Sequence, residues 1–106
     1  MAKYLLEVNY TIDGIRGVIA GGGSAREKVA RAAAKSVGGD VESFHFAFGE
    51  TDVFVIADLP DNTAAAALAL SVSAAGGATV RTVVLLTAAE VDAAAKQQVT
   101  YTPPTS

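Results

Sequence analysis

The sequence predicts an α+β fold built as βαββαβ, with a four-stranded antiparallel sheet and an extra helix near its C-terminal end. Three observations lead there. Stretches that alternate apolar and polar residues and stretches with helical spacing follow one another in the order β-α-β-β-α-β. Glycine runs and a Pro-Asp-Asn step mark the junctions between them. Right-handed crossovers then place the first and third strands side by side in the middle, with both helices on one face. That arrangement is the ferredoxin-like sandwich.

The first strand is Lys3 to Tyr10, where Tyr4, Leu6, Val8 and Tyr10 alternate with Leu5, Glu7 and Asn9. Thr11-Ile12-Asp13-Gly14 opens a short helical or turn segment, with Ile15, Val18 and Ile19 spaced to cover a core edge, and Gly21-Gly22-Gly23 ends it. Ser24 with Glu27 reads as a capping box for a helix running to Val37, with Ala25, Val29, Ala33 and Val37 on its apolar side. Lys28, Arg31 and Lys35 fall on a solvated side, and Gly38-Gly39 is a stop.

The central hairpin spans Val41 to Asn62 and carries three of the four phenylalanines at period two: Phe44, Phe46 and Phe48. A three-residue turn at Gly49-Glu50-Thr51 would set Phe48 opposite Asp52, Phe46 opposite Phe54 and Phe44 opposite Ile56. Pro60-Asp61-Asn62 caps a second helix over Thr63 to Ala75, with Leu68 and Val72 on its apolar stripe, and Gly76-Gly77 ends it. Thr79 to Leu86 is the fourth strand, Thr87 caps a third helix through Lys96, and Thr100 to Ser106 is a tail that Pro103-Pro104 keeps out of any central strand.

A length of 106 residues fits one domain, over 1–99, with the extended tail over 100–106. The chain is 51% hydrophobic but only 7% aromatic, so alanine supplies much of its apolar content and packing must rely on close approach of elements or on a partner chain. A net charge of −3 argues against nucleic acid as a partner. Ala64 to Ala75 is too short to span a bilayer, and no signal peptide is visible, so a cytoplasmic protein without a membrane partner is expected. The absence of cysteine excludes disulfides, thiolate metal sites and cysteine nucleophiles.

With the helices on one side, the phenylalanines of the hairpin, Phe54 and Ile56 would fill the helix-facing core. The opposite face would carry Leu5, Glu7, Asn9, Ser43, His45, Val53, Val55, Ala57, Arg81, Val83 and Leu85. Such a face is too apolar for a monomer, which points to a homodimer or higher homo-oligomer. Its polar members Glu7, Asn9, His45 and Arg81 are the candidate ligand-binding residues for a small molecule. Their structural alternative is an interface ion pair between Glu7 and Arg81, with His45 in an interface hydrogen bond.

Other motifs carry less. Gly21-Gly22-Gly23-Ser24 could cradle an anion at a helix start, but matches neither phosphate-loop pattern. One histidine near Glu42, Glu50 and Asp52 makes a poor metal cluster, so neither a metal nor another cofactor is expected. No serine lies in a nucleophile-elbow context, and Asp58 and Asp61 around Pro60 are explained by a turn and a helix cap.

The stretch FHFAFGETDVFVIADLPDNTAAAALAL, preceded by YLLEVNYTIDGIRG and followed by VRTVVLLTAAEVDAA, resembles the GYD-domain family of small bacterial proteins. The resemblance covers nearly the whole chain and implies a ferredoxin-like fold related to the dimeric α/β barrels, with no established activity. The chain departs at the name-giving motif, where Gly49-Glu50-Thr51-Asp52 has Thr51 at the position of the family's tyrosine. The expected function is a binding or assembly module using the open sheet face or an inter-subunit cavity. Two alternatives are a cofactor-independent monooxygenase or isomerase, with His45 as base and Asn9 or Arg81 orienting the substrate, and a small-molecule-sensing regulatory protein.

Overall fold

The computed structural model describes residues 1–104. The chain forms β1 (Ala2–Tyr10), α1 (Ile12–Gly21), α2 (Gly23–Ser36), β2 (Asp40–Phe46), β3 (Val53–Leu59), α3 (Asn62–Ala74), β4 (Ala78–Leu85) and α4 (Ala88–Ala95). The strands make one antiparallel sheet in the order β2-β3-β1-β4, with the first and third strands central. Helices α2 and α3 lie against the strands that follow them, α2 on β2 and α3 on β4. This is the ferredoxin-like arrangement. Residues 98–104 form no helix or strand; the last two residues of the expected tail, Thr105 and Ser106, lie outside the described residues.

Local chemistry explains most boundaries. The Thr11 hydroxyl accepts from the Gly14 N–H at 3.2 Å and the Asp61 carboxylate accepts from the Ala64 N–H at 2.9 Å, each capping a helix start. Thr87 and Glu90 form a reciprocal capping box at α4. The expected box at Ser24 and Glu27 does not form. Helix α1 runs a full ten residues, and α2 restarts at Gly23 directly after Gly22, whose φ of 86° breaks the two apart. Ser24 is thus inside the helix, and Glu27 instead holds Arg31 one turn on at 2.9 Å.

The core lies between the sheet and α2 and α3. Tyr4, Leu6, Val41, Val53, Val55, Ala57, Leu59, Ala34 and Ala65 are its buried members. On α2 the fully buried position is Ala34. Of the predicted line through Ala25, Val29, Ala33 and Val37, Val37 packs half-buried against the core and Ala33 is half-buried, whereas Ala25 and Val29 are exposed, Val29 at 50%. Arg31 is also more than a solvated charge, because its Nη1 donates to the Val41 carbonyl at 3.0 Å and ties α2 to β2. Of Ile15, Val18 and Ile19, expected at a core edge, Val18 is half-buried while Ile15 and Ile19 are exposed, as is Ile12.

The hairpin register differs from the expected one by a residue, and this exchanges the two faces of β3. Phe46 stands opposite Val53, His45 opposite Phe54 and Phe44 opposite Val55. Val53, Val55 and Ala57 therefore point into the core, while Phe54 and Ile56 face the other way. Strand β3 is apolar on both sides, so its own alternation cannot choose a face. The choice is made at Asp52. Its N–H donates to the Val8 carbonyl and to Asn9 Oδ1, each at 3.0 Å, and its carboxylate accepts from the Tyr10 N–H at 2.9 Å. Those bonds set Val53 beside Val8, whose side chain faces the helices, and every second residue follows. Phe48 is left at the tip of the loop, fully exposed.

A bulge between Val41 and Ser43 adds one residue to β2. It lets Val41 and Phe44 face the helices together. Phe46 then reaches α2 at Gly23, where a Cβ would come within 2.9 Å of its ring, and it meets Phe44 edge-on with centroids 5.3 Å apart.

Candidate functional site

The side of the sheet away from the helices is organised in rungs that cross all four strands. One rung reads His45, Phe54, Glu7, Arg81 from β2 to β4, and the next reads Ser43, Ile56, Leu5, Val83. In a third, Lys3 on β1 is flanked by Asp58 and Leu85. An apolar rung thus lies between two charged ones.

Each charged rung is internally paired. Arg81 Nη2 approaches Glu7 Oε1 at 3.3 Å, with Arg81 largely exposed and Glu7 largely covered. Thr51 donates its hydroxyl to the same Glu7 oxygen at 3.4 Å. At the other end Lys3 Nζ reaches Glu42 at 2.6 Å and Asp58 at 3.0 Å. The bond to Glu42 first, and that to Asp58 second, hold the Lys3 ammonium above its ordinary pKa of 10.5. Among the described residues no buried side-chain nitrogen or oxygen lacks a hydrogen-bond partner.

The four candidate residues are brought together unequally. Glu7 and Arg81 touch. Asn9 is one step along β1, but its carbonyl oxygen is occupied in holding the Asp52 N–H. His45 is exposed and lies two strand spacings from Glu7, roughly 10 Å, with Phe54 between them. No carboxylate orients its ring among the described residues. A general base with no orienting partner and no neighbouring acid is poorly equipped for proton abstraction.

Two residues escaped the reading of the sequence. Thr51 is the buried polar residue of the described chain, at 5% exposure. With Glu7, Phe48, Phe54 and Arg81 it lines an open cleft of about 410 Å³ under the hairpin loop. In the sequence Asp52 reads as the strand residue opposite Phe48 and as one carboxylate of a poor metal cluster, although an Asx side chain beside a hairpin is a common backbone partner. At the glycine run the Gly22 N–H is already bonded to the Val18 carbonyl at 2.7 Å, which removes one donor from the supposed anion cradle. Among the described residues no group of three or more His, Asp or Glu could hold a metal ion, and no helix is long and apolar enough to cross a membrane.

The cleft can receive a small polar group: Arg81 has donors to spare, and Glu7 offers an acceptor beside an aromatic ring. Thr51, at the position where the name-giving motif of the resembled family would have tyrosine, lines this cleft beside Glu7. No curated protein matches the chain, and no solved structure does. The family model for the GYD domain matches residues 4–95, from the third residue of β1 to the end of α4, and the chain belongs to the GYD-domain family.

Proposed function

We propose that the chain is a self-associating binding module whose open sheet face is covered by a second copy of itself. The observation that carries this reading is the uncovered rung of Ser43, Ile56, Leu5 and Val83 between two charged rungs. On this face Val83, and Phe54 in the adjacent rung, remain 40% and 38% exposed. A two-fold axis lets such a face pack on itself, apolar rung against apolar rung, with the spare donors of Arg81 meeting carboxylates of the other copy.

Magnitudes indicate what else must take part. Four strands about 4.8 Å apart and seven residues long give a flat area of roughly 440 Å². A standard interface covers about 800 Å² on each partner. Helix α4 supplies the difference. All of its residues are exposed and no element packs extensively against it, yet its start is fixed by a complete capping box. Leu86, Val91 and Tyr101 along this arm are 59%, 52% and 70% exposed. The radius of gyration is 16.8 Å, against about 13 Å for a compact chain of this length. An arm of this kind fits the surface of a second copy. Within the assembly the Thr51 cleft becomes an inter-subunit cavity for a small polar ligand. The reading as a cofactor-independent enzyme has less support, because His45 lacks an orienting group.

Light scattering on the eluting 10.7 kDa chain should give a mass at twice that value or a higher multiple. Ile56→Glu should give a monomer with an unchanged circular dichroism spectrum, and removal of residues 88–106 should weaken association. A stable wild-type monomer at micromolar concentration would overturn the reading.

A further inference from the structure

The core between helices and sheet is incompletely filled. No extensive contact joins α2 to α3, and α2 offers to the space between them the alanines Ala30, Ala33 and Ala34 together with Arg26 and Val29. Beneath them lies a cavity of about 100 Å³, walled by Leu6, Phe44, Val53 and Val80 below and by Ala30 and Ala33 above. It continues outward into a groove between α2 and α3, and Tyr10 and Arg26 line both. Asp13 lines the groove but not the cavity. Arg26 is half-buried, and its guanidinium makes no ion pair among the described residues, whereas Arg31 and Arg81 each hold a carboxylate.

A dry apolar cavity of about 150 Å³ accepts benzene, so this one, at about 100 Å³, suits an apolar body of roughly four carbons, a longer chain running on into the groove. A guanidinium without a partner at the edge of a low-dielectric space favours an anion, and its fork matches a carboxylate. We propose that the cavity binds a small monocarboxylate, with its apolar tail among the alanines and its carboxylate on Arg26. The site lies on the opposite side of the sheet from the self-association face, so it stands or falls independently of that assignment.

The test is titration of the full chain with hexanoate, and with 1-hexanol as an uncharged match, followed by calorimetry and by amide chemical shifts. Hexanoate should bind saturably, more tightly than hexanol, and shift the amides of Val8, Ala33 and Val53. Arg26→Gln should lower hexanoate affinity about tenfold or more and leave hexanol unchanged. Ala33→Leu should remove binding of both by filling the space. Should that variant fold poorly, the comparison of the two probes on Arg26→Gln decides alone. Equal affinity for the two probes, absence of saturation up to about 10 mM, or shifts centred on His45 and Arg81 would each overturn the proposal.

Discussion

The two sides of this sheet fail to close for opposite reasons. On the helix side the cover is present but made of small residues, so α2 and α3 sit over the strands and leave space beneath Ala30 and Ala33. On the open side the side chains are large enough, with Phe54, Ile56, Leu5 and Val83 in adjacent rungs, but no helix among the described residues packs extensively over them. A deficit of volume is met by a small molecule, and a deficit of cover by another protein surface. Polar groups follow the same division: Arg26, which makes no ion pair among the described residues, lines the cavity, whereas paired charges border the exposed apolar rung.

The sharpest way to break this comparison uses neighbours. Val55 and Ile56 are adjacent in β3 and face opposite sides, Val55 at 4% exposure. Val55→Glu places an unpaired carboxylate in a dry core and should cost more than about 4 kcal/mol, enough to unfold most of the chain in thermal melts. Ile56→Glu should leave the melt nearly unchanged for the monomer and act on association instead. If Ile56→Glu proved the more damaging to folding, the faces would be assigned the wrong way round.

A smaller effect is expected at the residue that sets those faces. Asp52→Ala leaves the Tyr10 N–H without its acceptor and should cost about 1–2 kcal/mol in denaturant unfolding. Its distinguishing mark is broadened or doubled amide signals along β3, as the alternative register gains population. Smallest is the contribution of Lys3. Its folded pKa is raised above the ordinary 10.5, so its stabilisation is complete below that value and fades as pH rises through the folded value. Lys3 is exposed and screened, which keeps the effect slight. Thermal melts between about pH 10 and pH 12 should fall more steeply for wild type than for Lys3→Met.

The element order, the strand order and the caps at Asp61 and Thr87 were legible in the sequence because each rests on local chemistry or on period. The faces of β3 were not. Val53, Val55 and Ala57 alternate with Phe54 and Ile56, and preferring the larger residues for the core inverted the assignment. The deciding contacts join Asp52 to Val8, Asn9 and Tyr10, more than forty positions away, where no periodicity can reveal them. Alanine content was read as a means of bringing helices close, and it left a gap between them instead. Of the candidate site, the neighbourhood of Glu7 and Arg81 followed from strand order. Thr51 appeared only as a departure from a motif, since burial at a loop has no local signature.

The bonds at Asp52 have a consequence for length variation. In a hairpin whose register is dictated by its turn, one added or deleted loop residue would turn the following strand over. Here the start of β3 is fastened to β1 by three bonds at Asp52, in addition to the bond from the Ala47 N–H to the Asp52 carbonyl across the hairpin. A residue gained or lost between Phe48 and Glu50 should therefore change the rim of the Thr51 cleft while Val53, Val55 and Ala57 stay in the core. The loop is thus free to diversify in sequence and length on a sheet that does not register the change.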